Sequence, residues 1–256
     1  MRARNLSNLF FKKTPLPPPP PVLQLNLLDD LDEPFKSALL SMYRGEPQLG
    51  TDGQRHSLNE AVKISPEEGK WLYEECLKSR PPKTLEIGLG YGFSTLFFLA
   101  ALAKNNYGHH EAVDPYQQSA WHGIGLTTTK ALAPPDRFRV IEETSVCAAV
   151  SLEREKAVYD LIFIDGGHIF EQALVDFFLY AKLCKIGGLV ILDDMWMSAL
   201  KTVASFVRAN RSDFSEIPTP IPNLCVFRRV GEDQREWFYF RPFIVDQHQG
   251  QIAEKS

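Results

Sequence analysis

Leu85-Glu86-Ile87-Gly88-Leu89-Gly90-Tyr91-Gly92-Phe93-Ser94 decides how this chain is read. A short apolar run ends on an acidic residue, three glycines follow at alternate positions, and a long apolar, helix-forming segment begins. The pattern is strand, tight turn, helix start. Glycines permit positive φ and leave no side chain between the backbone and a ligand. The helix N-terminus behind them supplies unpaired N–H groups and a partial positive charge. The turn therefore predicts a cradle for a nucleotide-type cofactor, in which Glu86, Gly88, Gly90, Gly92 and Ser94 are the candidate binding residues.

Spacing decides which cofactor. A dinucleotide site needs G-x-G-x-x-G. Counted from Gly88, the third glycine would fall on Phe93; counted from Gly90, it would fall on Thr95. Both frames fail, which disfavours a nicotinamide dehydrogenase. What stands here is E-x-G-x-G-x-G, and in this the chain resembles the class I S-adenosylmethionine (SAM)-dependent methyltransferases. The resemblance implies SAM as cofactor, with its cationic methionine end near the acid at the strand tip.

Downstream, apolar strand-length runs alternate with helix-length segments. Strands are predicted at Thr84–Ile87, Glu111–Asp114, Arg137–Ile141, Leu161–Asp165 and Leu189–Asp193. Helices are predicted at Ser94–Ala103, Gly125–Leu132, Val146–Leu152, Phe170–Cys184 and Ser198–Asn210. Such alternation argues a parallel α/β sheet covered on both faces. Phe214–Ile217 and Leu224–Arg229 read as a final antiparallel pair, giving a Rossmann-like, seven-stranded, mostly parallel sheet of methyltransferase type. Before it, Pro34–Tyr43 reads as a short helix and Gly45–Gly53 as a loop. Ser65-Pro66-Glu67-Glu68 then starts a second helix, with Ser as N-cap and Pro at the first helical position. The organisation expected is a basic, Pro-rich arm (1–21), an N-terminal helical extension or lid (22–80), a SAM-binding core (81–232) and an aromatic then polar tail (233–256). Asp52, His56 and Asn59 in the extension are candidate substrate contacts.

Ligands of open α/β sheets bind at the carboxyl ends of the strands, so the residues there carry the chemistry. Asp114 ends the second strand, where a carboxylate can accept from both ribose hydroxyls; Pro115 and Tyr116 would wall the adenine. Glu142-Glu143-Thr144-Ser145 follows the third strand. Thr144 and Ser145 are either adenine contacts or the N-cap of the next helix, and Glu143 stands where the resemblance expects glycine. The fourth strand ends in Asp165-Gly166-Gly167-His168 and the fifth in Asp193-Asp194. Carboxylates from neighbouring strand ends repel unless a cation joins them or one is protonated, and a hard divalent ion such as Mg²⁺, Ca²⁺ or Mn²⁺ answers that. The other reading is that Asp165 contacts only cofactor or backbone and that Asp193-Asp194 caps a helix.

The F-I-D-G-x-H and G-G-x-x-x-x-D-D pair, over roughly Ile64 to Asn210, resembles one branch in particular. This is the methyltransferase 24 group, which takes in macrolide-sugar and catechol-type O-methyltransferases. The resemblance implies a metal held by Asp165, Asp193 and Asp194 and methylation of a small hydroxylated acceptor. His168 or Asp165 would take the acceptor's proton, and His168 is equally read as a helix cap. His109 and His110 are placed on the sheet face away from the site, His122 on a loop near the pocket, and Glu171, Gln172 and Asp176 on a surface or packing face.

The remaining composition bounds the rest. The 256 residues carry 28 basic and 32 acidic side chains, a net charge of −4. Nucleic acid is therefore not an expected partner. No apolar run reaches the roughly 18 residues of a membrane helix, so no membrane is expected. The basic segment before Pro17–Pro21 lacks the apolar core of a secretory signal. Four widely spaced cysteines read as reduced thiols in a cytoplasmic protein. The aromatic tail leaves a homo-oligomer compatible, and a SAM-fold binding or partner module without methyl transfer is the alternative function.

Overall fold

The computed structural model describes residues 23–59 and 61–245. The arm expected at 1–21 and the end of the tail from 246 lie outside the described residues.

Helix α1 (Phe35–Tyr43) is followed by a hairpin of two-residue strands, β1 (Gln48–Leu49) inside the segment expected to be a loop and β2 (Arg55–His56) just beyond it. Helix α2 (Pro66–Ser79) starts as its sequence dictates. The Ser65 hydroxyl accepts from the Glu68 N–H, and the Glu68 carboxylate accepts from the Ser65 N–H, a reciprocal capping box that satisfies two orphan donors. Arg80, left-handed at φ 46°, ends the helix before Pro81.

The core runs β3 (Lys83–Ile87), α3 (Phe93–Asn105), β4 (His109–Val113), α4 (Ile124–Leu132), β5 (Phe138–Ile141), α5 (Ser145–Arg154), β6 (Tyr159–Ile164), α6 (Phe170–Ala181), β7 (Cys184–Leu192), α7 (Ser198–Asn210), β8 (Phe214–Ile217) and β9 (Cys225–Arg229). One seven-stranded sheet has the order β5-β4-β3-β6-β7-β9-β8. Strands β5 through β7 pair in parallel, while β9 runs antiparallel to both β7 and β8. The expected fold class is borne out.

Alternation along the strands divides the core into two layers. Leu161, Phe163, Leu189 and Ile191 face one way, into a cluster with α1, α2 and α3 that includes Leu39, Leu72, Phe97 and Phe98. Ile162, Ile164, Val190 and Leu192 face the other way, against α5, α6 and α7. Each fully buried side chain of this size contributes about 1.5–3 kcal/mol. The N-terminal helices therefore complete one face of the sheet as well as bordering the site.

Two boundaries differ instructively from expectation. Helix α6 stops at Ala181, and Cys184, expected at its end, opens β7 opposite Tyr159. The apolar run of β7 is interrupted by Gly187-Gly188, where the pairing register shifts, so its first residues carry no strand-like pattern. The aromatic stretch 237–243 forms no strand and leaves Trp237, Phe238 and Phe240 exposed.

Between β3 and β6 the strand order reverses, opening a crevice beyond their carboxyl ends. The crevice depends on glycine at 88. Gly88 has φ 103°, and a Cβ there would lie 2.0 Å from the Asp165 carbonyl oxygen. A Gly88→Ala protein is accordingly expected to lose about 3 kcal/mol of stability from combined strain and clash. Chemical denaturation reads this directly, and an unchanged midpoint would show that the turn tolerates a side chain.

Candidate active site

One cavity of about 1250 Å³ lies over the carboxyl ends of β3, β4, β6 and β7. Gly88, Gly90, Ser94, Asp114, Thr144, Ser145, Asp165, His168, Asp193 and Asp194 all line it. Ten of the twelve residues expected at the site thus meet around one space; Glu86 and Gly92 do not line it.

Glu86 is fully buried beneath the turn. Its carboxylate accepts the hydroxyls of Ser94 and Thr95 on the first turn of α3 and faces His110 Nε2 at 3.3 Å. Direct contact with the methionine end is therefore corrected to an indirect role, holding the helix start in place. His110, expected on a face away from the site, is buried in this network, with Nδ1 2.8 Å from the Thr84 hydroxyl and its ring stacked on Phe98 at 4.6 Å. Gly92 is also not a cavity residue. It caps α3 at φ 92°, and a Cβ on it would meet Thr129 of α4 at 2.9 Å. Gly90 differs from both: at φ 52°, a Cβ would have only Val62 within 4 Å, so glycine here keeps the cavity open.

Asp114 is 3% exposed. Its Oδ2 accepts from the Gly90 N–H (2.8 Å) and from Gln117 Nε2 (2.9 Å), and its Oδ1 from the Tyr116 N–H (2.7 Å). Gln117, which sequence reasoning missed, also donates to the Gly90 carbonyl (2.8 Å) and so joins the turn to the end of β4. Each carboxylate oxygen keeps capacity for a further donor. Pro115 and Tyr116 line the same end. Of the two roles expected of Thr144, the structure shows the cap, its hydroxyl accepting from the Cys147 N–H at 3.4 Å, and the residue also lines the cavity. Glu143 lies outside the cavity lining.

At the other end, His168 Nε2 lies 3.3 Å from Asp165 Oδ1 and 3.0 Å from Asp194 Oδ2. Asp194 has φ 55°, so the chain has already turned after β7 and its carboxylate can swing toward β6. Trp196 Nε1 donates to the other Asp194 oxygen at 2.8 Å. Burial pushes Asp165 up to about 7, with the Asp194 charge adding to it and the His168 hydrogen bond opposing it. The two carboxylates raise His168 to about 10. Burial works to raise Asp194 as well, but the hydrogen bonds from His168 and Trp196 hold it below its ordinary value.

The grouping of side chains that could hold a metal differs from expectation. Among the described residues, the group whose donor atoms lie within 4.8 Å of one another is Asp165, His168 and Asp194. Asp193 lines the cavity, but its Oδ1 accepts from the Asp194 N–H (2.8 Å) and Asn223 Nδ2 (3.1 Å), and His168 takes its place in the cluster. Two carboxylates and an imidazole at this spacing suit a divalent cation.

Further residues enter from distant sequence. Asn223 also donates to the Glu68 carboxylate at 2.6 Å, tying α2 to the end of β7. Glu68, Tyr91, Trp121, Trp196 and Gln172 line the cavity; Gln172 had been expected on a surface or packing face. Asp52, His56 and Asn59 are not in the lining. Asp52 pairs with His56 (3.0 Å), whose ring stacks on His122 at 4.0 Å, outside the cavity.

Residues 85–195 match the family described as a methyltransferase domain, the methyltransferase 24 group. The O-methyltransferase hkm8 of Aspergillus hancockii is 27% identical over 149 residues, which are 58% of this chain and 57% of that protein. The chain thus matches little more than half the length of that relative. Among solved structures, the SAH-bound methyltransferase PaMTH1 of Podospora anserina is 14% identical with a TM-score of 0.61, covering 80% of this chain and 93% of that one. The O-methyltransferase of Bacillus cereus in complex with SAH is 18% identical with a TM-score of 0.60, covering 80% and 96%. At these identities the structural likeness establishes the fold. The family resemblance read from the glycine turn and the two acidic strand ends is borne out.

Proposed function

We propose that this chain, whose residues 85–195 form a methyltransferase domain, is a SAM-dependent O-methyltransferase acting on a small hydroxylated metabolite. The observation that carries the reading is the single cavity joining two chemistries. One end has a side-chain-free turn, Asp114 and the Thr144-Ser145 helix start. The other has Asp165, His168 and Asp194.

Cofactor and acceptor have to meet in line, and most of the rate comes from holding them so. Gly88 and Gly90 let the cofactor lie against the backbone. Asp114 accepts from the ribose hydroxyls. Ser94, held by Glu86, borders the methionine end, and Thr144 and Ser145 border the purine. A divalent cation such as Mg²⁺, held by Asp165, His168 and Asp194, would supply Lewis acidity and orient the acceptor oxygen. Asp165, with His168 hydrogen-bonded to it, receives the proton of the acceptor hydroxyl. The N-terminal extension closes the acceptor side through residues 61–68, and the described part of the chain supports division into that extension, the SAM-binding core and the aromatic tail. Four free cysteines, three of them buried, support a cytoplasmic setting. No helix among the described residues is long and apolar enough to cross a membrane, and the exposed aromatics of the tail are compatible with a homo-oligomer.

The test is to incubate the protein with SAM, Mg²⁺ and a panel of sugars, phenolic diols and peptide-derived hydroxyl compounds, with and without a chelator. Formation of S-adenosylhomocysteine (SAH) that depends on an acceptor is expected, with a fall of tenfold or more when the cation is removed. No product under any condition would favour a binding module without methyl transfer. Undiminished product with chelator would remove the cation from the account.

A further inference from the structure

Asp176 is a buried titratable group that the proposed reaction leaves unused. It lies on α6, is 0% exposed, and neither of its carboxyl oxygens has a hydrogen-bond partner among the described residues. Its position is not remote from the cavity. A Cβ added to the cavity-lining Gly166 would lie 3.4 Å from Asp176 Oδ2. Tyr180, one turn along α6, donates its hydroxyl to the Ser145 carbonyl at 2.7 Å. Asp176 sits one turn before Tyr180 on the same helix, on the side that meets the start of α5. Helix α6 therefore approaches Ser145 from behind, while Ser145 lines the end of the cavity given above to the purine.

We propose that Asp176 is a positioning residue for the purine of the cofactor: its carboxyl engages the Ser145 hydroxyl from behind and fixes that hydroxyl as a hydrogen-bond donor toward the cavity. The inference rests on the SAM reading above.

The chemistry runs through one proton. A carboxyl at this depth with no cation beside it favours the neutral acid. Burial pushes it up, and the Ser145 hydroxyl offsets only part of that. A neutral carboxyl carries one O–H to give. The Ser145 carbonyl already holds the Tyr180 hydroxyl, and the Ser145 hydroxyl oxygen is the acceptor within reach. Once it accepts from Asp176, its own O–H turns to the cavity. Adenine presents ring nitrogens that accept and an amino group that donates, so Ser145 in this state reads a ring nitrogen. An ionised Asp176 would reverse the polarity, claiming the Ser145 proton and leaving only lone pairs toward the ligand.

Calorimetric titration with SAH of the wild type, Asp176→Asn, Asp176→Leu, Ser145→Ala and the Asp176→Leu/Ser145→Ala double variant tests this, with thermal unfolding as the folding control. Asn keeps a neutral donor and is expected to bind SAH within about twofold of wild type. Leu and the Ser145 variant should each weaken binding about tenfold, and the double variant no further, because both losses pass through one hydroxyl. An infrared difference spectrum between wild type and Asp176→Asn should show the carbonyl band of a protonated carboxyl. Binding by the Leu variant equal to wild type, independent additive losses, or a carboxylate band in that spectrum overturns the proposal while leaving the SAM reading intact. A wild type that binds no SAH overturns both.

Discussion

Replacing Asp165 with asparagine is expected to lower kcat/KM for methyl transfer by about a thousandfold at saturating SAM. The carboxylate has two duties in this account. It receives the proton of the acceptor hydroxyl, a contribution of typically 10²–10⁴ in rate. It also completes, with His168 and Asp194, the one cluster among the described residues that could hold a metal ion. Asparagine keeps the shape and one oxygen but can neither take the proton nor supply the charge. The loss should fall mainly on kcat, since both interactions grow as the acceptor oxygen becomes negative. His168, hydrogen-bonded to both carboxylates, loses one partner of two and keeps Asp194. A variant with kcat within a few-fold of wild type would place the proton transfer elsewhere in the cavity.

The second large effect is at the other end. Asp114→Ala should weaken SAM binding about a hundredfold, equivalent to about 2.7 kcal/mol. Hydrogen bonds to an ionised group contribute about 1.5–3 kcal/mol each, and two ribose hydroxyls would depend on this carboxylate. Alanine also releases the Gly90 N–H and Gln117, which Asp114 holds at 2.8 and 2.9 Å, so the turn itself loses its anchor. Asp114→Asn, which keeps oxygen acceptance at one atom, should fall between the two. Unchanged affinity in the alanine variant would rule out the ribose assignment.

How much of this was legible in the sequence depends on how local each signal is. The glycine turn, the capping box at Ser65 and the acids ending β4, β6 and β7 are contiguous patterns whose geometry the backbone enforces, and they located the cavity correctly. Side-chain direction was harder. Glu86 ends a strand beside the cofactor turn, yet its carboxylate is claimed by Ser94, Thr95 and His110 underneath. No spacing rule shows that hydroxyls eight and nine residues later will reach back to it. Asp193 and Asp194 could not both point the same way from an extended strand. The left-handed turn at Asp194 settled which of them faces Asp165, and it drew His168 into the cluster. Contacts across long separations left no trace at all. Asn223 meets Glu68 across 155 positions, and Gln117 was unremarkable until β4 and the turn stood side by side. Gly92 illustrates the converse: a motif glycine whose reason is packing against α4.

The central claim is that this cavity binds SAM and presents its methyl group to an acceptor beside Asp165. Titration calorimetry of the purified protein with SAM tests it most directly. The account predicts one SAM per chain, with affinity sharply reduced by Asp114→Ala. Absence of binding at millimolar SAM by a folded protein would contradict it.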